Sequence, residues 1–140
     1  MAATLNELIV WQLADELRRA VHALAALERV RADLRFAYQM QDSASGVCRN
    51  IAEGFGRVRP TEFAQFLLIA RGSLLELEAH LSDGAARGHW RECDVAEIVR
   101  TCRRTRAAIT GLVRYLRTPE AARNAARWED ATHRGKHSAE

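Results

Sequence analysis

Apolar residues recur at steps of three and four along four long segments of the chain. This spacing places the side chains on one face of an α-helix. The clearest case follows Pro60, where the apolar seam consists of Phe63, Leu67, Ala70, Leu74, Leu77 and Leu81. Because proline suits the first turn of a helix, we expect the third helix to begin at Pro60.

The two preceding segments have the same periodicity. The first helix is predicted to begin at a capping box formed by Thr4 and Glu7 and to run to about Leu27. Its apolar stripe consists of Val10, Leu13, Leu17, Val21 and Leu24. The second helix is predicted from about Ala32 to Glu53. Its seam consists of Leu34, Ala37, Gln41, Ala44, Cys48, Ile51 and Phe55.

The fourth segment extends from about Arg91 to Arg117, and Pro119 ends it. Its seam consists of Val95, Ile98, Cys102, Thr105, Ile109, Leu112 and Leu116. Four helices with short connections predict an all-α fold, an up-down-up-down four-helix bundle formed by residues 1–118. Residues 119–140 are predicted to be a C-terminal tail, either a short helix or disordered, with Thr132–Glu140 favouring disorder.

Composition narrows the class of protein. Two prolines and eight glycines in 140 residues favour long helices over the many turns of a sheet protein. The N-terminus lacks the basic start and apolar stretch of a signal peptide, and no apolar run is long enough to span a bilayer, so we expect a cytoplasmic protein that does not enter a membrane. The three cysteines are expected to be reduced and mostly buried.

The positive charge is concentrated in the fourth helix. The whole chain has a formal net charge of +3, whereas residues 91–117 contain seven arginines and three acidic residues. Four of these arginines lie opposite the apolar seam, namely Arg100, Arg103, Arg114 and Arg117. They are candidates for binding the phosphates of RNA or DNA, with a solvated helix face as the equally weighted alternative.

Apolar side chains outside the seams indicate a second buried surface. On the third helix they are Phe66, Leu68, Ile69 and Leu75, and Trp11 on the first helix is a further candidate for a helix or subunit contact. A helix that is apolar around much of its circumference is expected to be covered on more than one side. We therefore predict a homo-oligomer.

No set of residues predicts catalysis. Asn50 and Glu53 near a glycine turn are far more often structural than catalytic. Glu76 and His80 share a helix face, but one such pair is a weak indication of a metal site. No catalytic residue, cofactor or metal ligand is predicted.

A longer motif resembles a known bacterial family. The segment Asn50-Ile51-Ala52-Glu53-Gly54-Phe55-Gly56-Arg57 is followed by Arg71-Gly72-Ser73-Leu74. Together with Val10-Trp11-Gln12-Leu13-Ala14, it is similar to the four-helix bundle proteins encoded in rRNA intervening sequences. That group also includes the accessory variability proteins of diversity-generating retroelements.

The resemblance implies a homopentamer with a positively charged surface, and in the retroelement branch a nucleic acid and a reverse transcriptase as partners. It also implies that the shared motif residues are structural, namely Asn50, Glu53, Gly54, Arg57, Arg71, Gly72 and Ser73. We expect Asn50, Glu53, Arg71 and Ser73 to bond one another, and Gly72 to let the second and third helices approach closely.

These observations favour a non-enzymatic oligomeric bundle that binds nucleic acid, or a nucleoprotein partner, through its arginines. The alternative is a structural or protein-interaction scaffold without affinity for nucleic acid. Basic residues common in the family are replaced by Thr61 and Gln65 at the start of the third helix, which favours the scaffold.

Overall fold

The computed structural model describes residue 2 and residues 4–137 of the chain. Throughout this part of the chain the regular structure is helical, without a β-strand. The α-helices are α1 (Ile9–Ala25), α2 (Glu28–Arg31), α3 (Leu34–Phe55), α4 (Pro60–Ala86), α5 (Ala96–Leu116) and α6 (Pro119–His137). Single 3₁₀ turns precede α1 and α5 at Leu5–Glu7 and Glu92–Val95. The predicted all-α class is confirmed.

Four helices enclose a common apolar core. Helix α3 packs against α1 and α4, and α5 packs against the same two helices. Each contributes side chains that solvent does not reach, among them Leu17, Met40, Leu67, Leu74 and Ile109. Each of these four helices therefore packs against two of the others, which explains why more than one stripe of each helix is buried.

Helix α4 follows its sequence pattern closely. It begins at Pro60, as predicted, and all six residues of its seam are buried. The periodicity is reliable here because large apolar side chains occupy nearly every seam position over a long helix.

The start of α1 differs from the prediction. Thr4 makes no side-chain capping bond, and the amide of Glu7 instead donates to the backbone carbonyl of Thr4 at 3.2 Å. The capping box is therefore wrong, because Leu5–Glu7 closes its own 3₁₀ turn and α1 begins only at Ile9. The stripe itself is confirmed for Val10, Leu13, Leu17 and Val21, which are buried.

The seam predicted for α3 is correct in its middle and wrong at its ends. Ala37, Ala44, Cys48 and Ile51 are buried, but Leu34 is 73% exposed and Phe55 is only partly covered. The core instead takes up residues outside the seam, namely Phe36, Met40 and Val47. Gln41 finds the polar partner that its position requires, since its Oε1 lies 3.1 Å from Nδ1 of His22.

The connection from α4 to α5 is held by aromatic packing and by charge. The Trp90 indole is buried and its Nε1 donates to the carbonyl of Leu81 at 2.9 Å. Oδ2 of Asp33, just before α3, lies 2.8 Å from Nε2 of His89 and 2.9 Å from Nη1 of Arg87. These bonds join the far end of α4 to the beginning of α3.

Helix α6 begins with a polar turn against α5. The hydroxyl of Thr118 accepts from the amide of Ala121 at 3.3 Å, and Asn124 donates to the Tyr115 hydroxyl at 3.1 Å. The helix continues to His137, beyond Thr132 where the sequence favours disorder, and residues 138–140 lie outside the described residues. Within the described part of the chain, every helix is too short or too polar to cross a bilayer.

Candidate nucleic-acid interface

Helix α5 separates its buried residues from its arginines. Thr101, Cys102, Thr105 and Ile109 face the core, whereas Arg100, Arg103, Arg114 and Arg117 are exposed, as the pattern predicts. Arg103 and Arg114 are about three helical turns apart, so they lie near one line along the helix.

The exposed arginines differ in how far their charge is already neutralised. Arg100 pairs with Glu97 one turn away, and Arg106 reaches across to α4, where its Nη1 lies 3.0 Å from Oε2 of Glu78. Within the residues that the structure describes, Arg103, Arg114 and Arg117 form no ion pair. Their charges therefore remain available to an anionic partner.

Arg71 of α4 adds a further cation opposite these arginines. One depression of about 710 Å³ between α4 and α5 is lined by Arg71, Leu75, Arg103, Arg106, Ala107, Thr110, Gly111 and Arg114. A second, of about 520 Å³, is lined by Leu68, Arg71, Thr110, Val113, Arg114 and Arg117. The two share Arg71, Thr110 and Arg114, and we call them together the arginine groove.

The arginine groove includes Arg71, which was not predicted to lie on this surface. Arg71 was expected to be a structural motif residue that bonds Asn50, Glu53 and Ser73. In the structure Arg71 has no ion pair within the described chain and faces the groove. The signal available in the sequence was its position next to the seam residue Ala70, which places it on the flank of α4 rather than on its outer face.

The predicted bonds among the motif residues are wrong, because Asn50 and Glu53 make local bonds instead and, among the described residues, neither bonds to Arg71 or Ser73. Nδ2 of Asn50 donates to the carbonyl of Gly46 at 2.8 Å, within α3. Oε1 of Glu53 accepts from Nη2 of Arg57 at 2.6 Å, and the Arg57 guanidinium lies 5.0 Å from the ring centroid of Phe66. The motif therefore stabilises the end of α3 and its approach to α4.

The close approach between α3 and α4 involves other glycines than Gly72. Gly72 is exposed, and a β-carbon there would have no neighbour within 4 Å, so the predicted helix contact is wrong. At Gly54 a β-carbon would lie 2.7 Å from side-chain atoms of Phe63 and Phe66, and at Gly46 it would lie 3.0 Å from Oγ of Ser73. The close contact between α3 and α4 that was predicted at Gly72 is therefore made by Gly54 against Phe63 and Phe66, and by Gly46 against Ser73.

The candidate interface residues fall into two groups. Trp11, Leu68 and Phe66 are partly buried, and Trp11 and Leu68 pack against the core. Ile69 and Leu75 on α4 are 54% and 50% exposed. Only the second pair presents a substantial apolar surface to an external partner.

The chain matches the family model described as 23S rRNA-intervening sequence protein over residues 6–111. It belongs to the family of 23S rRNA-intervening sequence proteins. No curated protein matches the chain.

The residues matched by the family model include only part of the arginine groove. Arg71 and Arg103 lie inside the matched residues, as do Leu75 and Gly111, whereas Arg114 and Arg117 follow its end. This member of the 23S rRNA-intervening sequence proteins therefore completes the groove with a part of α5 that the family model does not cover.

Proposed function

We propose that this chain is a non-catalytic, oligomeric helical protein that binds RNA or DNA through the arginine groove. The observation that carries the proposal is a set of arginines that have no carboxylate partner among the described residues and that line one surface, namely Arg71, Arg103, Arg114 and Arg117. Unpaired guanidinium groups bind phosphates without first breaking an ion pair.

The proposal includes the finer architecture predicted from the sequence. Helices α1, α3, α4 and α5 form an up-down-up-down bundle, and these bundles assemble into a homopentamer in the cytoplasm. Assembly repeats the groove by symmetry, so that one nucleic acid contacts several grooves at once. A nucleoprotein, such as a reverse transcriptase with its template, is the second partner that we propose for this surface.

The test is a fluorescence-anisotropy titration of RNA and DNA oligonucleotides at several salt concentrations. The parent is compared with a variant in which Arg71, Arg103, Arg114 and Arg117 are replaced by Gln. The logarithm of the binding constant falls with the logarithm of the salt concentration, and each phosphate contact adds about 0.7–0.9 to the steepness of this fall. Loss of four contacts should therefore make the slope shallower by roughly 3 per protomer.

A matched control removes the same number of charges elsewhere. Arg31, Arg35, Arg59 and Arg104 are exposed, lie outside the groove and form no ion pair within the described chain. Their replacement by Gln should leave most of the affinity intact. If both variants lost the same affinity, binding would depend on net charge and not on the groove. If the parent did not bind at roughly 50 mM salt, the proposal would be contradicted.

The alternative is a protein-interaction scaffold without affinity for nucleic acid. It is favoured by the ion pairs of Arg100 and Arg106, which neutralise part of the positive surface, and by the exposed Ile69 on α4. A parent that sediments as an oligomer but binds neither RNA nor DNA would support this second function.

A further inference from the structure

The larger depression of the arginine groove combines an apolar floor with a cationic rim. Leu75 is half-exposed, and Ala107 and Gly111 beside it are exposed on α5. Arg71, Arg103 and Arg114 line the same depression. A surface that bound phosphates by charge alone would not need this apolar floor.

Gly111 keeps the floor open. At Gly54 and Gly84 a β-carbon would overlap neighbouring rings, whereas at Gly111, which lines the depression, a β-carbon would meet nothing within 4 Å. The space above Gly111 is therefore free for an external group.

An unpaired nucleotide has the two features that this depression matches. Its base is a flat, weakly polar ring system that packs on apolar side chains and on guanidinium planes, and its phosphates pair with arginine. In a duplex the bases are stacked and paired, so only the phosphates remain to be bound by a shallow groove. The complementarity of charge and polarity thus favours a single strand over a duplex.

We propose that the arginine groove binds single-stranded RNA or DNA in preference to duplex, with a base on the floor formed by Leu75 and Gly111 and phosphates on Arg71, Arg103 and Arg114. This inference rests on the proposed function, since it specifies which nucleic acid the groove accepts. It adds a requirement for bases that simple electrostatic binding lacks.

The test compares three fluorescent ligands of equal length on the full chain: a single strand, its duplex, and an abasic single strand that keeps the phosphates. We expect the single strand to bind about tenfold more tightly than either of the others at equal salt. Equal affinity for all three would overturn the inference and leave the proposed function intact. Failure to bind any of them would contradict the proposed function itself.

Filling the floor gives the second arm of the test. Gly111→Leu adds a side chain above the floor without changing any charge, and Gly72→Leu is the matched control. Both glycines are exposed, lie inside helices and have open space at the β-carbon, but Gly72 does not line the groove. Because leucine favours helix more than glycine, both variants should fold and melt at or above the parent temperature.

Gly111→Leu should weaken single-strand binding about tenfold and leave duplex binding within about twofold, whereas Gly72→Leu should change neither. Unchanged single-strand binding by Gly111→Leu would overturn the inference. A change in sedimentation of Gly111→Leu without a change in binding would also overturn it, since the groove would then be a contact between two copies of the chain.

Discussion

The indole of Trp90 lies against the backbone of Gly84, in the space that a β-carbon at position 84 would occupy. This contact fixes the connection between α4 and α5, and only glycine fits beneath the ring. Gly84→Ala should therefore lower the free energy of unfolding by about 1–3 kcal/mol, although alanine is the better helix former. Urea denaturation measures the change.

Gly72→Ala is the control for this substitution in the same helix. Gly72 is exposed and has no neighbour within 4 Å of a β-carbon, so alanine should raise stability by up to about 1 kcal/mol. If Gly84→Ala were as stable as Gly72→Ala, the packing of Trp90 would not constrain position 84.

The bonds to Asp33 predict a dependence of stability on acid pH. Hydrogen bonds from His89 and Arg87 lower the pKa of Asp33 below its ordinary value of 3.8. A carboxyl group with a lowered pKa stabilises the fold above its pKa in the unfolded chain, and that contribution is lost as the pH falls towards the folded-state value. Asp33→Asn should therefore destabilise the chain near neutral pH, and its difference from the parent should shrink below about pH 4.

Thermal melts between pH 7 and about pH 3 measure this difference. Asp42 provides the control, because it is exposed and its only described ion pair is a 3.4 Å contact with Arg49. Asp42→Asn should change stability by less than about 0.5 kcal/mol. If the difference in melting temperature between the parent and Asp33→Asn stayed constant across this pH range, the lowered pKa of Asp33 would not contribute to stability.

The three cysteines should react very differently with thiol reagents. Burial raises the pKa of Cys48 to about 11 and that of Cys102 to about 12, whereas Cys93 is exposed. Since the thiolate is the reactive form, a disulfide reagent at neutral pH should titrate one thiol per native chain and all three in denaturant. Cys93→Ser should remove the native reaction, and rapid labelling of that variant would show that the core opens readily.

Local periodicity predicted those features that depend on one face of one helix. The seam of α4 and the outward direction of Arg103, Arg114 and Arg117 follow directly from the spacing of residues along each helix. Both are correct because a helix that packs on a core must turn its charged residues outward.

Features that depend on contacts between helices were not predictable in this way. Leu34 fits the seam of α3 but precedes the packed part of the helix, and Met40 lies off the seam yet is buried. Arg71 lines the groove because α5 packs beside the flank of α4 that carries it. Gly72 was misplaced for the same reason, since the presence of a small residue does not specify which neighbour it faces.

The last prediction concerns assembly, and it rests on Ile69, an apolar side chain that is 54% exposed in the middle of α4. Burial of the exposed half of this side chain in a subunit contact would stabilise the assembly by about 1 kcal/mol per chain, and a buried lysine would oppose it. In sedimentation velocity we expect the parent to move as an oligomer of 15.7 kDa chains, and Ile69→Lys to shift it towards the monomer. Leu34→Lys is the control, because Leu34 is 73% exposed at the start of α3, outside the predicted interface. If the parent sedimented as a monomer at micromolar concentration, oligomerisation would be wrong, and binding by the arginine groove would have to be explained by one chain alone.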